Sequence, residues 1–259
     1  MLSSTRHVLA GQPIRDGSGK GRLIRTDWSA YATAYDLLSL HNPAYRELME
    51  DFRSFLEGIP APAAIEDIGG GTGNYSMIAS SVCPDSRVRM IEPDVGMLAV
   101  AERKLADRTN VVYEPCPIEK LETAGGADLI VCVHALYTMA DPEIRLRAMA
   151  EMLNPGGWLY LVDLGRELDL ADWRRYLLGH LIATYGLVET ARIAWQGRQI
   201  ARQNRRIRAD QRAGIYWTYA KGELAKKVAA TGLEVIEHRP VYRGYSDFVI
   251  ARAPLRTQE

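Results

Sequence analysis

Three alternating glycines, Gly69, Gly71 and Gly73, follow the apolar run Ala64-Ile65-Glu66-Asp67-Ile68 and precede Asn74-Tyr75, a pattern that turns a strand sharply into a helix. Glycine at such a turn admits positive φ and lets a ligand touch the main chain with no Cβ in the way, so the chemistry implied is nucleotide binding. Asp67 stands two residues before the first glycine. Glu92 ends the next apolar run about 20 residues past the loop, the distance at which a carboxylate reaches a ribose. A pyrophosphate fingerprint would need its third glycine where this chain has Asn74, so the pattern does not demand a dinucleotide. His134, closing a later apolar run, is the other candidate: an unperturbed imidazole, with a pKa of about 6.5, is half neutral near physiological pH and can take a proton.

These residues need elements to hold them. Short apolar runs near 64–68, 87–91, 111–114, 127–133 and 158–163 alternate with amphipathic helices, the signature of a parallel sheet. Before them, the spacing of Tyr31, Tyr35 and Leu38 predicts a helix from Trp28 to Leu40, and Asn42-Pro43 supplies an N-cap and a first-turn proline for a second helix to about Leu56. After Asp163 the alternation stops, and Leu168 to about Ala213 reads as helix except around Gly186; strand periodicity returns at Leu233–Ile236 and Asp247–Ile250. We expect residues 1–25, polar and glycine-rich, to be a flexible arm. Residues 26–259 are then a single domain, with a helical cap at 26–60 and a helical insertion, or lid, at 168–213. A chain of 259 residues with 47% hydrophobic content can bury one full α/β core.

Glu66-Asp67-Ile68-Gly69-Gly70-Gly71-Thr72-Gly73 resembles the first motif of class I S-adenosylmethionine (SAM)-dependent methyltransferases. Arg89-Met90-Ile91-Glu92-Pro93-Asp94 with Met97 resembles their ribose-binding motif, Ala127–His134 their fourth strand, and Leu153–Leu161 the turn into their fifth. The four segments cover roughly residues 62 to 165 in family order. The resemblance implies a seven-stranded Rossmann-like methyltransferase sheet with one antiparallel strand, SAM as cofactor, and a small-molecule acceptor. It assigns the cofactor to Asp67, Gly69, Gly71, Gly73, Glu92, Pro93, Met97, Ile118, Glu119 and Val133, with Tyr31 reaching it from the cap. Glu92 would take both ribose hydroxyls and Met97 would pack on adenine. Family members often place an acid after the third strand to receive the adenine amine; here Pro117 stands there, so the backbone N–H of Ile118 and packing must serve.

Methyl transfer from a sulfonium is an in-line displacement that needs alignment and exclusion of water rather than a nucleophilic side chain. His134 and Tyr35 are the catalytic candidates, the first as a base, the second as an aromatic face beside the sulfonium. Tyr137, Tyr176, His180 and Trp217 are candidates for the substrate pocket, because so many aromatics beyond the core suggest a lid over an apolar or aromatic acceptor. Other readings use the same fold: aminocarboxypropyl transfer or cyclisation of SAM, an RNA-modifying methyltransferase, or a SAM-binding module without catalysis.

The partners are bounded by charge and composition. With 32 basic and 32 acidic residues, the whole molecule offers no electrostatic case for a polyanion. Residues 191–214 hold seven arginines and one acid, but Ile193, Ile200 and Ile207 recur every seven residues, so the arginines read as the solvated face of an amphipathic helix and nucleic acid is not expected. No apolar run is long enough for a signal peptide or a membrane span, so no membrane partner is expected. Cys83, Cys116 and Cys132 are too few and too dispersed for a disulfide framework or a metal cluster, no metal is expected, and an odd number of thiols suits the cytoplasm. A homodimer is compatible with all of this.

Overall fold

The computed structural model describes residues 25–121 and 125–255; the arm expected at 1–25 lies, but for Arg25, outside them. The first helical elements are α1 (Trp28–Tyr35), α2 (Leu37–His41) and α3 (Pro43–Glu57). Asp27 caps α1 by accepting from the Ala30 N–H, and Asn42 caps α3 by accepting from Ala44, with Pro43 in the first turn where a missing N–H costs nothing. The single helix predicted from Trp28 to Leu40 is broken at Asp36, whose carboxylate accepts from Thr72 Oγ1 at 2.6 Å and Lys104 Nζ at 2.7 Å. Through that carboxylate the cap is tied to the glycine loop.

The core alternates β1 (Ala64–Ile68), α4 (Asn74–Val82), β2 (Arg87–Ile91), α5 (Val95–Lys104), β3 (Val111–Glu114), β4 (Ala127–Val133), α6 (Pro142–Met152) and β5 (Leu153–Leu164). The insertion follows as α7 (Leu170–Gln196) and α8 (Arg198–Arg212), and then α9 (Glu223–Ala229), β6 (Glu234–Val241) and β7 (Ser246–Arg252) close the chain. Gly186 interrupts α7 with φ of 74°, as its place in the sequence implied.

The seven strands form one sheet in the order β3-β2-β1-β4-β5-β7-β6, parallel except for β7, which runs antiparallel to both its neighbours. Side chains alternate between its faces. From β4 and β5, Leu129, Val131, Tyr160 and Val162 join Phe52, Ile78 and Leu105 on one side, while Ile130, Cys132, Leu159 and Leu161 join Met149, Leu224 and Val228 on the other. The order in which strands are added reverses between the parallel neighbours β1 and β4, and the carboxyl ends of those strands open the crevice where an α/β sheet receives its ligand. The strands at the centre match the predicted runs to the residue; β5, β6 and β7 are longer than expected, because backbone pairing continues past the apolar stretch that marks each strand in the sequence.

Candidate functional site

At that crevice the β1–α4 turn wraps a cleft. Gly69, Gly71 and Gly73 all have positive φ, 69°, 59° and 78°. A Cβ on Gly69 would lie 2.4 Å from the Ala135 Cβ, and one on Gly70 would lie 2.6 Å from Met90 Cγ, so neither position tolerates a side chain. Gly71 meets nothing nearer than 4.0 Å and presents bare main chain along the cleft. Its N–H donates to Glu92 Oε2 at 2.8 Å, while the N–H of Asp94 donates to Oε1 at 2.8 Å. Each oxygen keeps a lone pair for a further donor. Burial pushes the Glu92 carboxyl up to about 7 against the pull of those two backbone donors. Asp67, wholly enclosed and receiving the Ser76 hydroxyl at 2.6 Å, is pushed by burial up to about 6.

The rest of the cleft is apolar wall: Met97, Ile118, Ile91 and Met139 among others. Pro93, Glu119 and Val133 also line it, as does Pro117, standing where an acid would receive an amine. The hydroxyl of Tyr75, another lining residue, is buried and has no hydrogen-bond partner among the described residues. A bare glycine turn, an acceptor-rich carboxylate at the end of β2, an apolar slot and an unpaired donor fit an adenosyl ligand carrying a polar tail. Among the described residues no three His, Cys, Asp or Glu side chains converge as metal ligands would.

His134 follows β4 with φ of 53°, a conformation that non-glycine residues seldom hold except where surrounding structure imposes it. Its N–H donates to the Val162 carbonyl at 2.7 Å, and its Nε2 lies 2.9 Å from Ser246 Oγ. In the tautomer where Nε2–H donates to Ser246, Nδ1 carries the lone pair, and among the described residues it has no hydrogen-bond partner. Burial lowers the imidazole to about 4. The expectation of an ionisation near neutrality is thereby corrected: desolvation disfavours the imidazolium, and no carboxylate lies close enough to restore it.

His134, Tyr35 and Trp28 form a wall shared by the cleft and a second chamber. That chamber lies under the insertion and is lined by Tyr31, Tyr137, Trp173, Leu177, Ile207 and Tyr242, with Asn42 and Asn204 as its amides. The structure thus places Tyr31 on the second chamber rather than the cleft, its hydroxyl donating to Asn204 Oδ1 at 2.9 Å. Gly73 faces away from the cleft, where a Cβ would sit 2.9 Å from Leu105 Cδ1; its role is close packing of α4 on α5. Of the four substrate-pocket candidates, Tyr137 lines the chamber. Tyr176 stands behind it, edge-on to Trp173 and under the Arg243 guanidinium. His180 lines neither space, and Trp217 packs on Tyr219 beneath Lys227. Burial pushes the hydroxyls of Tyr35 and Tyr137 well above the usual phenol range, so both stay protonated.

Several residues at the site carried no sequence signal. Tyr242, at φ of 51°, stands edge-on to His134 with ring centroids 4.7 Å apart. Ser246 and Tyr75 are ordinary strand and helix residues until the fold sets the first against His134 and the second on the cleft. Lys104 bridges Asp36 and Asn74 at 2.7 Å each, and Ser29 Oγ donates to Asp94 at 2.9 Å, so the cap is fastened to both walls of the cofactor cleft.

A family profile described as a methyltransferase domain matches residues 41–238. The ubiquinone/menaquinone biosynthesis C-methyltransferase of Cellvibrio japonicus is 27% identical over 153 residues, 57% of this chain and 61% of that protein. The ubiquinone biosynthesis O-methyltransferase of Bordetella avium is 30% identical over 129 residues, 49% of this chain and 51% of the relative. The chain thus spans about half to three-fifths of the length of these relatives. Among solved structures, the N-methyltransferase NodS of Bradyrhizobium japonicum, in complex with S-adenosylhomocysteine, superposes with a TM-score of 0.58 at 18% identity, covering 88% of this chain and all of that one. A SAM-dependent methyltransferase of Aquifex aeolicus gives 0.55 at 17%, covering 85% and 97%. The structural likenesses speak for the fold alone, but the profile spans most of the chain, including the glycine turn, Glu92 and His134, and by it this protein belongs to the methyltransferase-domain family of class I SAM-dependent enzymes.

Proposed function

We propose that this protein transfers the methyl group of SAM to a small apolar or aromatic acceptor held in the chamber beneath α7 and α8. The observation that supports this most directly is the shared wall: His134, Tyr35 and Trp28 border both the cleft and the chamber, so a molecule in one faces a molecule in the other across them. The bound cofactor supplies an electrophilic methyl on a sulfonium. The chain supplies the rest. Gly69 and Gly71 offer uncovered backbone, Glu92 accepts hydroxyl donors, and Met97 with Ile118 makes the apolar slot. Trp28, Tyr31, Tyr35 and Trp173 exclude water and give the acceptor an aromatic enclosure in which few orientations fit.

His134 Nδ1 is placed to accept a hydrogen bond from an acceptor hydroxyl or amine, with Ser246 fixing the ring. A neutral imidazole whose conjugate acid lies at about 4 is a weak base, so it orients the nucleophile and takes its proton only as the bond to the methyl carbon forms. The two curated relatives act in ubiquinone biosynthesis by their names, and a small apolar or aromatic acceptor suits this enclosure. No helix among the described residues is long and apolar enough to cross a membrane, and we place the reaction in the cytoplasm with no nucleic-acid substrate.

Incubation with methyl-labelled SAM and a metabolite extract of the host tests the proposal. The expected result is S-adenosylhomocysteine together with a labelled small product. Methylthioadenosine in its place, with no labelled product, would overturn methyl transfer in favour of chemistry on the aminocarboxypropyl chain.

A further inference from the structure

The insertion concentrates charge that the rest of the chain lacks. Residues 170–213 carry nine of the 32 basic residues, all arginine, and only three of the 32 acidic ones. Those three acids are already engaged: Glu189 pairs with Arg192, Asp172 with Arg243, and Asp210 is buried, accepting from Thr26. Among the described residues Arg174, Arg175, Arg202 and Arg205 make no ion pair. The balance that makes the whole molecule neutral therefore hides a strongly cationic element.

The same element bares apolar surface. Beyond the break at Gly186, Leu187 is 73% exposed, Val188 88% and Trp195 69%; before it, Leu178, Ile182 and Tyr185 are also open. Leu187, Ala191 and Trp195 follow one another at four-residue spacing and so share a helix face, which Arg198 and Arg202 continue across the junction into α8. Arg198 lies over the Trp195 ring, 4.7 Å from its centroid. Packing onto the core does not need this strip, because the opposite side, through Ile193 and Ile207, supplies the buried contacts.

We propose that this face docks onto an anionic lipid surface. Exposed leucine, valine and tryptophan interleaved with arginines is the composition of a helix lying in a membrane interface, apolar groups entering the headgroup boundary while guanidiniums hold lipid phosphates. Charge decides against the other occupants. A second copy paired through a two-fold axis would set the same arginines against each other, and a nucleic acid would give Leu187 and Val188 nothing to bury against. The contact is peripheral and requires no spanning helix. The helices that form it also wall an open, largely apolar groove, whose inner residues Leu38, Trp173, Leu177 and Ile200 are shared with the acceptor chamber. An acceptor dissolved in the bilayer would enter there without crossing water. The docking itself does not depend on the chemistry proposed above.

Co-sedimentation of the full chain with phosphatidylcholine vesicles, and with vesicles that also contain phosphatidylglycerol, tests this. Binding is expected to the mixed vesicles, to fall with added salt, and to be far weaker on phosphatidylcholine alone. Leu187→Ser with Trp195→Ser, and separately Arg198→Glu with Arg202→Glu, should each weaken it by about tenfold or more, while circular-dichroism melting stays as in the wild type. Failure to sediment with the mixed vesicles, or undiminished binding by both variants, would overturn the proposal. So would a dimer in sedimentation velocity that the Leu187→Ser and Trp195→Ser changes dissolve, or tight binding of a short RNA that those changes leave intact.

Discussion

Glu92 stands at the end of β2 with both oxygens already receiving backbone N–H groups, yet its burial holds the carboxyl at about 7. A ligand that donates hydroxyls to it favours the ionised form, so SAM affinity should rise as pH increases through about 7. Glu92→Gln should remove that dependence, and Glu92→Ala should weaken binding by about 1.5 to 3 kcal/mol, the worth of hydrogen bonds to a charged group. Calorimetry across pH reads both; unchanged affinity in a folded Ala variant would sink the ribose assignment. His134 gives a complementary forecast. With its imidazolium confined to acid, the single-turnover rate should be flat between pH 6 and 8 and fall only on approach to about 4. If it takes the acceptor's proton, His134→Ala should cost roughly 100- to 10,000-fold in kcat. If it only orients, KM for the acceptor should rise with kcat preserved. Ser246→Ala, acting through the ring, should produce a smaller change of the same kind. SAM affinity should be indifferent to either substitution.

The cap and the insertion meet each other as well as the core. Tyr31 donates to Asn204, Asp27 N–H to Gln203, and both the N–H and hydroxyl of Thr26 to Asp210, while Asp36 ties the same cap to the glycine loop through Thr72 and Lys104. Cofactor binding at the loop therefore bears on α1, and through α1 on α8. Hydrogen exchange should slow together in residues 28–57 and 170–212 when a non-reactive SAM analogue is added, the two segments acting as one lid. Protection limited to residues 64–120 would contradict that linkage.

The whole molecule should be less stable at alkaline pH than at neutral pH. Burial raises Asp67 to about 6, Glu92 to about 7 and Asp163 to about 8. Between pH 6.5 and 8 Glu92 and Asp163 hold protons in the native state that they have lost in the unfolded chain, with Asp67 adding its share mainly below that window, so stability must fall as pH rises through it. Below about 4 both states are protonated and the dependence from these groups vanishes. His134 works in the opposite sense, since its lowered value destabilises the fold only as pH drops from about 6.5 toward 4. Taking the ligand-free protein from pH 8 to 6.5 should therefore stabilise it by on the order of 2 kcal/mol, roughly 4–8 °C in Tm. Scanning calorimetry showing no rise would mean that these acids are not desolvated as the fold implies.

The sheet was legible in the chain because its signals are local: apolar runs at strand length, glycines where φ must be positive, Asn42-Pro43 at a helix start, Gly186 at a break. The cofactor cleft was legible for the same reason, since Gly69, Gly71, Glu92 and Met97 lie on consecutive turns of one βαβ unit and their spacing alone brings them together. The surroundings of His134 and the second chamber were not. Tyr242, Ser246, Trp173 and Tyr31 come from β6–β7, α7 and α1, segments far apart in sequence, and only the antiparallel entry of β7 beside β5 sets Ser246 and Tyr242 against His134. His180 and Trp217, chosen by residue type, lie beside neither chamber nor cleft: helical phase decides which side of α7 faces inward, and Trp217, in the loop beyond α8, packs on Tyr219 instead. The value of about 4 for His134 was equally beyond a sequence reading: a side chain's pKa depends on the water it loses, and burial is a property of the packed molecule.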